Sequence, residues 1–445
     1  MQQLYSGDFS LKSVKLTPVI KNSGAIELKQ LVKEISIYES VIATSLYCQI
    51  VVSDIGENLI GTLPLMGQEK IQVVIGVASK TYDLNFFVYK IDGRVMQEKN
   101  QAYVIHCLSF EALINEQTRI CERVDGKKSH EFLKEKFESK NKSGSSAFTK
   151  KKFDADVSLY PFNMYIPNWR LFDTAVWMSR RSVSSKYKNS IGYLFYETLD
   201  GYKFKSLDEL FEKTPYPNAN TKYTFSQANT SAKGTKANDY RIINYSSPKA
   251  FDIMDDMRNG AFSHNSIYVD ITNRTYKVFR TTADDYWKDM KHLEGLKPYR
   301  TDGPLQLMNY PTRLVYRPTT INTFGWKEVD IAGKNNIDEV NKNYEKSLYR
   351  YYFLEYNKLE IAVPGDLNIR AGNVIQVSIP SPKRSADGKV LEDTRISGKY
   401  LVHSIKHSIL NRTELRTTIT LTRDSFGGTT IGDSTVTGSQ TNLGQ

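Results

Sequence analysis

Catalysis or metal binding in this chain would have to be built from six histidines, three cysteines and forty-nine acidic residues. His130-Glu131 opens like the zinc-protease motif H-E-x-x-H, in which two histidines one helical turn apart hold the metal and the glutamate acts as base. The fifth position is Lys134, so the second ligand is missing. His403 and His407 are four apart and would share a face only on a helix. In a strand they lie roughly 13 Å apart at ~3.3 Å per residue, too far to chelate one ion. Cys107 follows His106 in another strand-like run, where neighbours point to opposite faces and no thiolate–imidazole couple forms. Gly126-Lys127-Lys128 lacks the upstream glycine and the hydroxyl residue of a phosphate-binding loop, and no G-x-S-x-G elbow or G-x-G-x-x-G fingerprint occurs. Asp255-Asp256 is read as a solvated helix face. The expectation is a non-enzyme, with no catalytic residue, no cofactor and no metal ligand.

Composition narrows the class further. Hydrophobic content of 40% and charged content of 24% describe a globular chain, and 445 residues suggest about three domains. No run approaches the ~20 apolar residues of a bilayer span, and no signal peptide is expected. Cys48, Cys107 and Cys121 form an odd set without C-x-x-C spacing, so neither a disulfide framework nor a zinc knuckle is expected, and a reducing cytoplasm fits assembly. The net charge of +11 leaves nucleic acid and acidic proteins open as partners. Glu122–Lys152 carries ten Lys or Arg against five Asp or Glu, but its lysines alternate with glutamates, as on an exposed salt-bridged helix. Phe132 and Phe137 suit the apolar side of that helix better than a base-stacking platform.

Most of the chain reads as β. Short β-branched or aromatic runs fill the first ~120 residues, with Asp92-Gly93 as a turn signal. Helices are expected over Glu111–Ile120, after Pro167-Asn168, and from Ser247-Pro248 to Gly260, the last with Phe251 and Met254 on its apolar side. Asp200-Gly201 predicts a hairpin between Tyr193–Leu199 and Tyr202–Lys205. The aromatic cluster Tyr349–Tyr356 is either core or interface. Residues ~284–340 are poorly patterned, and strands are expected from Tyr351 to Thr422.

The two ends of the chain resemble one another. Gly67-Gln-Glu-Lys-Ile-Gln-Val-Val-Ile75 matches Gly372-Asn-Val-Ile-Gln-Val-Ser-Ile379, and Phe87–Ile91 matches Leu401–Ile405. Fourteen residues beyond each of the latter isoleucines lies the next strand, Ile105–Ser109 or Ile419–Arg423. Order, spacing and glycine placement agree, which favours a duplication. The expected fold is mainly β with α+β insertions: two similar antiparallel β-barrels of tube type, the second interrupted by an inserted segment. The barrels are placed at 1–118 and at 206–283 with 345–425. An α/β insertion occupies 119–205, an inserted segment 284–344, and a flexible tail 426–445. Tyr400, Val402, Ser404 and Lys406 alternate along one late strand and are assigned as an assembly face directed away from the barrel core.

This arrangement resembles the central baseplate hub proteins of contractile-tailed bacteriophages. Tyr47–Asp54 with Glu69–Val74 look like that family's first barrel. Tyr165-Ile-Pro-Asn-Trp169 with the following helix and hairpin look like its insertion. Leu367–Gln376, Gly398–His407 and Thr417–Thr422 look like its closing strands. The resemblance implies a virion structural protein of the tail baseplate, assembled in the host cytoplasm: a homotrimer whose six barrels form a pseudo-sixfold ring. Such a ring adapts the sixfold tail tube to the threefold central spike and leaves an axial channel for DNA. The partners it implies are the spike, tail-tube or tube-initiating baseplate proteins and a tape measure protein, with no sequence-specific nucleic acid and no membrane insertion. The rival readings are a hub of a phage-derived contractile injection particle, a basic nucleic-acid-binding protein and a cell-wall hydrolase component. In a trimer the charge becomes three times +11, or +33, and reads as an assembly surface.

Overall fold

A computed structural model describes residues 9–19, 24–55, 65–77, 80–97, 100–138, 148–188, 191–225, 240–271, 274–299, 306–319, 336–384 and 390–427. The expected flexible tail lies outside them from residue 428 on, as does the expected loop at Asn141–Ser146.

The N-terminal region holds β1 (Phe9–Thr17), β2 (Ile26–Glu27), β3 (Val32–Ser40), β4 (Tyr47–Ile55), β5 (Lys70–Val77), β6 (Lys80–Gln97) and β7 (Asn100–Leu108). Their period-two pattern puts Ile35 and Ile37, Ile50 and Val52, Ile71 and Val73, and Ile105 into one core. Cys48 and Cys107 face each other across β4 and β7, both buried and free. The expected turn at Asp92-Gly93 is instead a bulge. β6 runs through it, with Gly93 at φ 64° and the register to β7 slipping between Asp92 and Val95.

The next region supplies α1 (Phe110–Gln117), β8 (Ile120–Lys128), α2 (Ser129–Glu138), β9 (Phe153–Ala155), β10 (Pro161–Trp169), α3 (Leu171–Ser179), β11 (Tyr193–Thr198), β12 (Gly201–Ser206) and α4 (Leu207–Phe211). β10 pairs with β8, and β11, β12 and β9 form a three-stranded sheet. Phe132 and Phe137 of α2 are buried in an aromatic core with Phe153, Phe172 and Phe204. The polar side of α2 is ion-paired, mainly across to β8, with Lys127–Glu135 at 2.5 Å and Lys136–Glu122 at 2.6 Å, while Lys134–Glu138 within the helix lies at 4.0 Å. The expected hairpin forms with its turn one residue earlier: Thr198 pairs with Gly201, so Leu199-Asp200 make the turn and Gly201 opens β12. Gly201 sits at φ 113°, and a Cβ there would lie 2.4 Å from the Lys152 carbonyl oxygen, so no other residue fits.

The rest of the chain contributes β13 (Lys222–Phe225), β14 (Arg241–Ile242), β15 (Asn244–Lys249), α5 (Ile253–Asn259), β16 (Ser263–Asp270), β17 (Thr275–Thr282), α6 (Ala283–Trp287) and β18 (Arg313–Thr319). After these come α7 (Asn336–Leu354), β19 (Asn357–Pro364), β20 (Val374–Ser378), β21 (Pro380–Arg384), β22 (Val390–Glu392), β23 (Gly398–Leu410) and β24 (Glu414–Arg423).

Several expectations change here. Helix α5 starts later than Ser247-Pro248, because the Asp252 side chain accepts from Asp255 N and caps it; Gly260 ends it in the left-handed conformation, as expected. Phe251 and Met254 are exposed, not packed, and Asp256 is buried beside Lys249, so the acidic pair is not one solvated face. The strands expected from Tyr351 begin after a helix: Tyr349 and Phe353 are buried on α7, which resolves that aromatic cluster mainly as core. β16 and β17 form a separate sheet with β18, so they lie apart from the strands with which the sequence grouped them.

The main sheet has fourteen strands and spans both ends of the chain. One edge of β23 pairs first with β20 (Val374↔Leu401 to Val377↔Gly398) and then with β3 (Ser404↔Ser40 to Leu410↔Glu34). The strand succession β1-β5-β6-β7-β4-β3 has a counterpart in β13-β20-β23-β24-β19-β15, although β13 joins β20 in parallel where β1 joins β5 antiparallel. Each set has its own core, one around Ile50 and Ile105 and the other around Ile361, Ile375 and Ile419. No closed barrel is detected among the described residues.

Candidate assembly surface and its buried junctions

Where β24, β23, β3, β4, β7 and β6 run side by side, one face covers the cores and the other is open. Cross-strand register lines up the open face in rows. Thr418, Lys406, Tyr38, Tyr47 and Leu108 form one, and Arg416, Ser408, Ser36, Gln49, His106 and Lys90 the next. Polar contacts tie the rows together. Lys406 lies 3.4 Å from Glu34 and over the Tyr38 ring, His106 Nε2 is 2.8 Å from Asp92, and Tyr47 Oη bonds His106 Nδ1. Burial pushes the Tyr47 hydroxyl up to about 12, so it stays protonated and can donate to the imidazole. His106 faces out while Cys107 faces the core, the separation expected of strand neighbours.

Of the four residues assigned to an assembly face, the structure puts only two on this surface. Tyr400 and Val402 point into the C-terminal core, and Tyr400 donates to the Ile396 carbonyl. Ser404 and Lys406 are half-buried on the open face. The reason is a bulge: the register to β24 slips between Val402 and Ser404, so core positions change from even to odd and Ile405, His407 and Ile409 turn inward. His403 and His407 do not converge. His403 meets Glu355 at 3.0 Å, and His407 Nδ1 meets the Thr417 hydroxyl at 3.0 Å.

Buried charges lock the regions together beneath this surface. Glu39 on β3 accepts from Leu199 N at 2.9 Å and from Ala371 N at 3.1 Å, joining three distant stretches of chain. Burial raises its carboxyl to about 7, against the lowering effect of Arg370, which itself pairs with Asp200. Glu197 on β11 accepts from Leu46 N and from the Ser109 hydroxyl, and Lys151 Nζ sits 2.5 Å away. Arg350 on α7 reaches Asp208 at 2.9 Å and Asp424 at 3.2 Å, and Asp424 also holds His292 at 2.7 Å. Below the β16–β18 sheet, His264 and Tyr268 both bond Glu345 of α7, and these bonds hold its carboxyl below the usual range despite burial.

Sequence reading passed over all of these. A signal existed for one: Glu39 shares the parity of Ile35 and Ile37, so an acid sits where a core residue is due. Among the described residues no group of three His, Cys, Asp or Glu is placed to hold a metal ion, and no helix is long and apolar enough to cross a membrane.

No family model matches the sequence, and no curated protein matches it. Solved structures do. A 43 kDa tail protein of prophage MuSo2 from Shewanella oneidensis superposes with a TM-score of 0.53 at 10% identity, over 93% of this chain and 99% of that one. A tail protein from Neisseria meningitidis MC58 gives 0.51 at 9% identity, over 93% and 96%. Both matches run nearly end to end, so the likeness includes the insertions as well as the main sheet. The chain therefore has the fold of these two tail proteins.

Proposed function

We propose that the protein is the structural hub of a contractile-tail baseplate, a homotrimer that joins a sixfold tail tube to a threefold spike around an axial channel. One observation carries this reading: a single chain of tail-protein fold contains two six-strand sets with the same neighbour order, each with its own core. Three such chains present six similar units, which is what a threefold body needs in order to meet a sixfold one. Ser404 and Lys406, where the two sets join, belong to the surface that continues from unit to unit. The role is mechanical and needs no turnover. Buried ion pairs at Glu39, Glu197 and Arg350 keep the units from shifting under load. Cations and carboxylates of α2 and the adjoining β8 pair with one another, which favours this reading over a nucleic-acid platform.

The test is the mass in solution. Sedimentation at micromolar concentration should give three times 50.9 kDa, about 153 kDa, with ~2,000 Å² or more buried per contacting pair as obligate oligomers have. A stable 50.9 kDa species under those conditions would overturn the hub reading.

A further inference from the structure

Three arginines converge where the end of α3, helix α7 and strand β18 meet. Ser347 of α7 donates to the Arg180 carbonyl at 2.8 Å and pins the end of α3 against α7. Arg181, next along the chain, lays its guanidinium over the Trp177 ring at 4.2 Å and over the Tyr344 ring at 4.9 Å. Arg317 of β18 lies over the same Tyr344 ring at 4.1 Å. The two guanidinium carbons are therefore at most 9.0 Å apart, the two Tyr344 distances laid end to end. Arg181, Tyr344 and Arg317 are all half-buried, and Arg180 is exposed beside them.

The charges at this junction are one-sided. Arg181 donates to the Trp177 carbonyl at 3.2 Å, and among the described residues neither it nor Arg180 pairs with a carboxylate. Burial pushes the Arg181 guanidinium down, and the nearby Arg317 and Arg180 cations push the same way against the pull of Tyr344. Arg317 has Glu345 at 3.7 Å, beyond hydrogen-bonding range, and its buried Nε has no hydrogen-bond partner. Glu345 is already engaged, because His264 Nε2 and Tyr268 Oη both bond it. His264 brings a charge of its own. Its Nδ1 faces the Gly260 carbonyl at 3.1 Å and its Nε2 faces the Glu345 carboxylate, so both ring nitrogens must donate and the ring is an imidazolium. Glu345 thus neutralises His264, and Arg181 and Arg317 remain as two half-buried cations without a counter-charge. Like charges held this close and partly shielded from water repel unless an anion joins them.

We propose that Arg181 and Arg317 form a binding site for a phosphate dianion, free or carried as a phosphomonoester. The excess of two positive charges matches a phosphate group at neutral pH, which carries about −1.5 to −2. The planar forks match its shape as well. With bonds of ~2.8 Å to each fork, one phosphate holds two guanidinium carbons about 8 Å apart. A carboxylate monoanion would fill one fork and leave the other charge unmet. None of these residues belongs to the open face of the main sheet, and the site does not depend on the trimer reading.

Calorimetric titration of the full-length chain with inorganic phosphate, at neutral pH and constant ionic strength, tests it. Wild type should bind phosphate saturably, one per chain. R181Q and R317Q should each weaken binding roughly tenfold or more, the loss of one charged contact. R181K and R317K keep the charge but not the fork, disturb the junction least, and should fall between. R123Q, at an exposed arginine of β8 that pairs with Asp125, should bind as wild type does. Circular dichroism matching wild type checks that each variant is folded. Glycerol phosphate binding as tightly as inorganic phosphate would identify a phosphomonoester, and much weaker binding the free ion; either supports the site. No saturable binding to wild type, binding unchanged in both glutamine variants, or an equal loss in R123Q overturns it. Competition by acetate as strong as that by phosphate overturns the phosphate assignment.

Discussion

Replacing Arg350 by alanine should cost about 3–5 kcal/mol of folding stability, the range for breaking a buried ion pair from one side. Arg350 is 3% exposed and neutralises two carboxylates, Asp208 after β12 and Asp424 after β24. Asp208 also accepts from Lys291 N, and Asp424 from Leu293 N and His292. One guanidinium thus closes a junction of α7, α4, the 291–293 segment and the end of the main sheet. Without it two buried acids lose the cation they share. Equilibrium urea denaturation should show a lower midpoint, and the loss should be as large in the single-copy as in the assembled state. A change below about 1 kcal/mol would mean that the junction relaxes or admits water.

Much of the main sheet was legible because period-two patterning survives wherever one strand face is a core. The strands around Ile50, Ile71, Ile105, Ile375 and Ile419 stand where their alternation puts them. The hairpin was legible from Asp200-Gly201, although the turn itself falls on Leu199-Asp200, because the chain leaving it needs a positive φ angle at Gly201. Helix α7 was hidden for a physical reason. Glu345, Tyr349 and Phe353 recur at helical spacing on its buried side, but Glu345 and the neighbouring Ser347 and Arg350 are polar, so the apolar stripe is broken. The Tyr-rich stretch that remains is made of residue types favoured in strands. The bulge in β23 leaves no local mark at all. It is set by the simultaneous pairing of that strand to β20, β3 and β24, a long-range constraint no single segment carries. That is why Tyr400 and Val402 face the core while Ser404 and Lys406 do not.

Two buried groups near Arg370 should give the protein opposing pH arms. His407 is enclosed on β23; burial first, and the Arg370 cation second, push its imidazole down to about 3 from an ordinary 6.5. The folded state then refuses a proton that the unfolded chain accepts. Its stabilisation is full above pH 6.5 and is lost as pH falls toward 3, about 5 kcal/mol in all at 1.36 kcal/mol per unit. Glu39 has the reverse sign. With its carboxyl raised to about 7 from 4.5, it favours folding fully below pH 4.5, and that contribution, about 3 kcal/mol, is lost as pH rises through 7. Between pH 4.5 and 6.5 the two slopes nearly cancel, so the wild type should be flat there and should weaken on either side. Asp154 and Glu355, held down to about 2, add a further loss as pH falls below about 4.5. The variants separate the arms, because those carboxylates act equally in every chain. H407L should gain stability as pH falls from 7 to 4.5, with Glu39 unopposed. E39Q should lose it continuously from 6.5 downward, with His407 unopposed. Urea denaturation at constant ionic strength across pH 3.5–8 reads both slopes. If the two variants parallel the wild type, neither group titrates on unfolding in this range. The charges at the joint between the two strand sets would then be set by their partners and not by their burial.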